Sequence, residues 1–313
     1  MKKYLALIMA IILLLTLGAC GKSNTEGTTS ETEINSEIIA ETDVSEEETS
    51  SVASDDEEEN LTSKESSTDE NGETLTEKAT EKSSVPTTDA EILAAYTTVM
   101  NKAKTDKAGF TLAEWQELPS DSASRKVSKG TSIVGAALNV ANNFMTSEEK
   151  AKKNPTTYEK GGDMAAFPIR NTPYGCTLTD TSVLKSIKCE QLSNGNVKIT
   201  LVLKDELNPE PAPAGSGNSP SNTGKVITPI SKAEIDENLN GGVVSAVCKD
   251  ISYSLLFHDV TSTVVYNPKT NEIVSLKQIT KVTVSGKGKI AGMEIVVDKQ
   301  ELINTKEITD LKY

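Results

Sequence analysis

Residues 251–284 read ISYSLLFHDVTSTVVYNPKTNEIVSLKQITKVTV. They are rich in β-branched and aromatic residues at period two, the pattern of strands with one buried face. Asn267-Pro268-Lys269-Thr270-Asn271 interrupts the run with turn formers and reads as a hairpin turn. Strands are expected at about 251–257, 260–266 and 272–284, and further ones at about 289–298 and 301–309. Consecutive strands joined by short turns must pair antiparallel, because parallel pairing needs a crossover of roughly a dozen residues or more.

Upstream, Ile187 and Cys189 alternate on one strand, and Val197, Ile199, Leu201 and Leu203 on the next. A two-residue Asn194-Gly195 loop would put Ile199 opposite Glu190, mixing apolar and charged groups on one face. A three-residue loop, Ser193 to Gly195, pairs Cys189 with Ile199 and Ile187 with Leu201. It keeps one apolar face and places Gly195 where a bulge needs a left-handed residue. Between these hairpins, residues 209–228 carry Pro209, Pro211, Pro213, Pro220, Gly215, Gly217 and Gly224 and read as a mobile connection. Ser231 with Glu234 then caps a short helix running into Gly241-Gly242.

The amino-terminal part of this region is helical. Thr88 and Glu91 form a capping box, followed by Ile92, Tyr96, Val99 and Ala103 at helical spacing. A second helix, about Ser132 to Met145, has apolar residues on more than one face and is expected to be buried on several sides. Thr146 and Glu149 read as the cap of a short polar helix ending before Asn154-Pro155. The expected fold is α+β, with a twisted antiparallel sheet of about seven strands packed around N-terminal helices, especially the helix near 132–145.

The chain has 313 residues and a formal charge of -14, distributed unevenly. Residues 21–86 hold 20 acidic and 4 basic residues, 23 Ser or Thr and no aromatic, whereas 87–313 hold 26 charges of each sign. The acidic segment cannot bury enough apolar surface to offset its backbone entropy and reads as a disordered tether. As a flexible coil it would span about 45 Å, and its charge should repel nucleic acid and anionic headgroups. Three regions follow: 1–19 a signal peptide, 20–86 an anchor and tether, and 87–313 one globular domain.

Met1-Lys2-Lys3 precedes an apolar run from Tyr4 to Leu17, about 21 Å as a helix and too short for a hydrocarbon core of roughly 30 Å. It fits a signal peptide. The tetrapeptide Leu17-Gly18-Ala19-Cys20 at its end resembles the lipobox of bacterial lipoproteins, with Gly18 less usual at its position than Ala or Ser. That resemblance implies cleavage before Cys20, lipidation of its thiol with acyl chains such as palmitate, and attachment to the outer face of a cell membrane. Two or three acyl chains make a stable anchor where one is marginal. An ordinary secretory signal with an incidental Cys20 is the other reading.

The domain also resembles uncharacterised lipoproteins of Gram-positive bacteria, on Asn101-Lys102-Ala103-Lys104, on Leu201-Val202-Leu203-Lys204-Asp205-Glu206-Leu207-Asn208-Pro209, and on the closing run of strands. The resemblance implies a Gram-positive cell surface and brings no activity with it. A helix-filled curled sheet is similar, at the level of fold alone, to lipid-carrying periplasmic proteins of the LolA and tubular lipid-binding kind.

Chemistry-bearing motifs are few. His258, the single histidine, is followed by Asp259, but neighbouring strand residues point to opposite faces, so the pair is expected to diverge. Ser147 to Lys150 and Ser182 to Lys185 match Ser-x-x-Lys at a frequency expected by chance, and no Lys-Thr-Gly accompanies them. Gly286-x-Gly288 precedes a strand and is no dinucleotide fingerprint. Cys189 reads as a buried thiol, and a Cys176 to Cys248 disulfide stays open. Phe110 and Trp115 read as core residues under a loop or as an exposed ligand contact.

No catalytic residue, cofactor or metal ligand is expected. The expected protein is a membrane-anchored extracytoplasmic lipoprotein displaying a non-catalytic binding or interaction domain. Its partners would be the membrane, through lipid at Cys20, and an unknown envelope or surface partner. An alternative is a carrier of a lipid or other apolar ligand. It requires a cavity of several hundred Å³ with apolar walls between sheet and helix and fails if that space is tightly filled. A cell-envelope hydrolase would need two carboxylates about 5–9 Å apart.

Overall fold

Three strands of about twenty residues form the middle of the sheet, and the shorter strands extend it on either side. The computed structural model describes residues 85–240 and 242–313, so the signal segment, Cys20 and the acidic tether lie outside the described residues. Along the chain come α1 (Asp89–Thr105), β1 (Gly109–Glu117), β2 (Arg125–Lys129), α2 (Thr131–Phe144), α3 (Glu148–Lys153) and β3 (Thr156–Tyr158). Then follow β4 (Leu184–Gln191), β5 (Val197–Leu203), β6 (Glu206–Leu207), α4 (Lys232–Asn240), α5 (Gly242–Val247), β7 (Cys248–Asn267), β8 (Glu272–Ile290) and β9 (Met293–Lys312). The strand order is β3-β1-β9-β8-β7-β5-β4, with β2 beside the first half of β9 and β6 beside β7. All pairs are antiparallel and the sheet does not close.

The fold class is as expected, α+β on an antiparallel sheet, with nine strands among the described residues. The hairpin register is also as expected: Cys189 pairs with Ile199, Ile187 with Leu201, and Gly195 has φ +85°. The long strands differ from the expectation. Residues 251–257 and 260–266 are one strand, β7, with a register shift between His258 and Thr261. Asp259 at φ +47° makes the irregularity there, a bulge that bends the strand without ending it. Likewise 289–298 is split and 301–309 is extended. The turn falls at Ala291-Gly292, where both residues have positive φ, +48° and +82°, as a two-residue hairpin loop requires. An alanine in the first of those positions hides the turn from the sequence.

Strands β1, β2 and β3 were not expected. Strand β1 is covered on both faces and so shows no alternation: Phe110 and Leu112 face α1, while Trp115 turns the other way under Lys152 of α3. Strand β2 is mostly exposed and polar. Phe110 and Trp115 are buried in a strand, which removes the exposed-contact reading.

Which helix fills the sheet is a correction. Helix α1 is embedded, with Tyr96, Val99, Met100 and Ala103 at 0% exposure, and its Thr88–Glu91 capping box is formed. Helix α2, near 132–145, buries one face only, through Val134, Ala137, Leu138 and Ala141, and leaves Phe144 exposed. Its small Gly135, Ala136 and Ala137 make it apolar all round without giving it bulk to bury. The cap of α3 is Ser147 rather than Thr146, its Oγ accepting from the Lys150 N–H. Ser231 caps α4 as expected, accepting from the N–H groups of Ala233 and Glu234.

The Pro/Gly-rich loop at 209–228 is fixed rather than loose. Ser219, Ser221 and Thr223 are buried in it. Ser219 Oγ donates to the Glu210 carbonyl, Ser221 Oγ accepts from the Glu210 N–H, and the Glu206 carboxylate accepts from the N–H groups of Asn222 and Thr223. Short polar side chains replace the backbone pairing that the prolines deny.

Candidate ligand-binding site

The face of β7, β8 and β9 that carries Phe257, Val282 and Leu302 is the inner face, and helices cover it in two places. Over one half lies α1, making the main core with Val264, Leu276 and Ile308. Over the other half lie α2 and α4, and here the space is not filled. A cavity of about 230 Å³ separates Val134 and Leu138 of α2 and Ile235 and Leu239 of α4 from Leu255, Phe257, Val282, Val284, Ile295 and Leu302 of the sheet. The surface turned into it is apolar. Helix α2 meets the sheet through Val134 and Leu138, which pack on Cys248, Ile290 and Ile295, and through Ala141 on Leu302, and the cavity lies beside these contacts. At one end the cavity is bounded by Tyr253 and Ile251, which lie against Gly286 and Gly288 of β8. A Cβ on Gly286 would stand 2.9 Å from Tyr253 Cβ, so only glycine permits that approach.

A buried polar seam crosses the inner face between Val282 and Leu302 on the cavity side and Leu276 and Ile308 on the α1 side. On β9 the inward positions are Gln300, Leu302, Asn304, Lys306 and Ile308, every second residue. Lys306 lies opposite Glu114 of β1 and Gln278 of β8, and Gln278 lies opposite Ser262 of β7, so one polar row crosses four strands. Beside it, Asn304 lies opposite Gln116 and Thr280. The row is hydrogen-bonded, as burial demands. Tyr96 of α1 shares a 2.7 Å bond with Ser262 Oγ, and Gln278 Nε2 donates to Ser262 Oγ and to the Val226 carbonyl, each at 3.2 Å. Gln116 Nε2 donates to Asn304 Oδ1 at 3.1 Å.

The charged group in this seam is Lys306, with Glu114 at 3.6 Å. Burial pulls the Lys306 ammonium below the usual lysine range. Glu114 opposes that shift, and the nearby Arg170 guanidinium adds to it. Arg170 is held by its backbone N–H, which donates to Thr228 Oγ1 at 2.7 Å. Arg170, Thr228 and Lys306 border two hollows: one of about 20 Å³ directly over Gln278, Thr280 and Asn304, and one of about 470 Å³ opening outward past Glu234. The larger hollow meets the apolar cavity at Ile230 and Ile235, which line both.

The sequence-derived candidates fall elsewhere. Cys20 lies outside the described residues. His258 and Asp259 do not diverge: the positive φ of Asp259 breaks the alternation and brings Asp259 Oδ2 to 3.4 Å from His258 Nδ1. His258 Nε2 lies 3.1 Å from Thr283 Oγ1. This trio sits on the sheet face opposite the cavity, and its carboxylate is occupied by Lys185 at 2.9 Å, which with His258 holds it below the usual range. Ser147 is a helix cap, and Ser182 donates its N–H to Asp180 in a short 3-10 turn. Cys176, Cys189 and Cys248 are all free thiols, Cys176 and Cys248 buried and Cys189 partly exposed. Burial raises all three thiols, Cys176 to about 11. Among the described residues no cluster of three or more His, Cys, Asp or Glu could hold a metal ion, and no helix is long and apolar enough to cross a membrane.

Sequence reasoning missed Arg170, Lys306, Asn304 and Gln278. A signal for two of them existed: Leu302 and Ile308 share a parity with Asn304 and Lys306, so a strand that buries the first pair buries the second. Nothing in the sequence around Arg170 brings it to β9. Comparisons with protein-family models, with curated proteins and with solved structures return no match to this chain.

Proposed function

We propose that this chain is an extracytoplasmic lipoprotein, held on a membrane through acyl chains on Cys20, whose α+β domain binds an apolar ligand between the sheet and helices α2 and α4. The cavity of about 230 Å³ carries this reading. An apolar hollow of about 150 Å³ already suffices to hold benzene. This one has the room and the walls for an alkyl chain or a small ring system. Each methylene buried there would contribute about 0.8 kcal/mol. A core packed to ordinary density would have left no such space, and the ligand-carrying alternative would have failed on it. The lipobox resemblance and the acidic segment between Cys20 and the domain support a domain displayed away from an anionic membrane.

Fluorescence of the neutral probe N-phenyl-1-naphthylamine tests the cavity. The chain from residue 20, carrying Cys20→Ser, should enhance the probe's emission saturably. Leu138→Trp, which fills the space from α2, should weaken binding about tenfold. Absence of saturable binding by the parent chain sinks the reading. The anchor is tested separately: Cys20→Ala should move the protein from the membrane fraction to the medium, and retention on the membrane refutes lipidation.

A further inference from the structure

We infer that the ligand is an amphiphile with a compact anionic head, carboxylate in character, and that Lys306 and Arg170 hold this head while the apolar part lies in the cavity. The inference rests on the cavity being a ligand site and adds the class of ligand. Its support is the order of side chains along the inner face of β8 and β9. Val282 and Leu302 lie opposite one another and line the cavity. Two residues on along each strand are Thr280 and Asn304, again opposite one another, and two further on are Gln278 and Lys306. Period two puts all six on one face, so within four residues, about 13 Å, the same surface passes from apolar through neutral polar to cationic. That sequence of surfaces matches the length of an alkyl chain ending in a charged head.

The charge pattern sets the sign of the head. Lys306 and Arg170 border the same two hollows, and each positive charge raises the cost of the other. Glu114 relieves Lys306 on the β1 side. An anion placed between the ammonium and the guanidinium would relieve the repulsion and supply charge-assisted hydrogen bonds to both. Glu234 and Glu237 face the larger hollow from α4 and not the small one. They disfavour an anion at the outer end, so the head is directed to the seam, where Gln278, Thr280 and Asn304 carry no charge. With Glu114 already beside Lys306, the two cations leave about one positive charge to balance, which suits a carboxylate better than a phosphate monoester of about -1.5 to -2 charge.

Competition against N-phenyl-1-naphthylamine on the chain from residue 20 with Cys20→Ser tests this, using dodecanoate, 1-dodecanol and acetate at neutral pH. Dodecanoate should displace the probe at least tenfold more effectively than dodecanol, and acetate should not displace it, which separates an amphiphile from a free carboxylate. Arg170→Gln and Lys306→Gln should each reduce the advantage of dodecanoate about tenfold, as expected for one charge-assisted hydrogen bond. Dodecanol and the probe should be unaffected. Misfolding would weaken all ligands together, so the ratio of the two dodecyl compounds is the readout. Arg170→Gln, in a loop, carries the test if Lys306→Gln does not fold. Equal displacement by both dodecyl compounds, or a ratio unmoved in Arg170→Gln, overturns the inference while the cavity reading survives. Failure of the parent chain to bind the probe overturns both.

Discussion

Replacing Tyr96 by Phe removes one oxygen from the middle of the domain and should cost far more than its size suggests. Tyr96 is at 0% exposure, and its hydroxyl shares a 2.7 Å hydrogen bond with Ser262, itself 1% exposed. Ser262 Oγ also accepts from Gln278 Nε2, and no water can reach the group left behind. The lost hydrogen bond is worth about 1 kcal/mol, and the buried Ser262 hydroxyl stripped of a partner adds about 1 kcal/mol more. Tyr96→Phe should therefore lower stability by about 2 kcal/mol, or about 4–8 °C in Tm for a domain of this size. Ser262→Ala should cost a similar amount, since it strands the Tyr96 hydroxyl. The double variant Tyr96→Phe/Ser262→Ala should fall short of the sum by about 1 kcal/mol, because the second change removes a group already orphaned. The single tryptophan, Trp115, is 3% exposed on β1 and reports urea unfolding by fluorescence. A cost below about 0.5 kcal/mol for Tyr96→Phe, or strict additivity in the cycle, would show that α1 is not docked on the sheet through this bond.

Ala291→Gly should raise stability by about 1 kcal/mol, because Ala291 holds φ +48° in the β8–β9 turn, a conformation glycine adopts without a Cβ penalty. An unchanged urea midpoint would mean the turn is not of this type. Lys104 donates to the carbonyls of Met164 and Ile169, and burial lowers it from 10.5 to about 8. Above pH about 8 the folded chain releases a proton that the unfolded chain keeps, so this residue makes stability rise with pH. Unfolding followed between pH about 8 and about 9 should show a flatter or more negative slope in Lys104→Met than in the parent, and identical slopes count against it. Thiol titration of the Cys20→Ser chain without reductant should find three reactive cysteines in denaturant and, in the folded state, Cys189 alone reacting readily. One thiol in denaturant would reveal the Cys176–Cys248 bridge that the structure lacks.

Much of the architecture was written locally. The capping box at Thr88 forms with residues three apart, and the Ser193–Gly195 loop sets a register in which Cys189 meets Ile199 and Ile187 meets Leu201. Such elements need only nearest neighbours and period. The errors arose where a distant partner overrides local preference. Asp259 keeps β7 continuous through a bulge because β8 runs alongside to pair both halves. Strand β1 shows no alternation because α1 covers one face and α3 the other. Helix α2 is apolar enough to read as a core helix, but it buries one face only and a cavity remains beside it.

The amino-acid sequence by itself determined the class of fold, antiparallel because its strands follow one another through short turns, and the separation of charge into an acidic segment and a neutral domain. Both are properties of order along the chain. The candidate site was decided only by the tertiary structure. Its cavity is the difference between the volume two helices supply and the volume the sheet offers. Its cations come from residues 136 positions apart, Arg170 on a loop and Lys306 on β9. A lysine in a strand reads as a solvated side chain until the pairing of β9 with β1 and β8 turns its face inward. The pairing with β1 joins segments nearly two hundred residues apart, which no local pattern encodes.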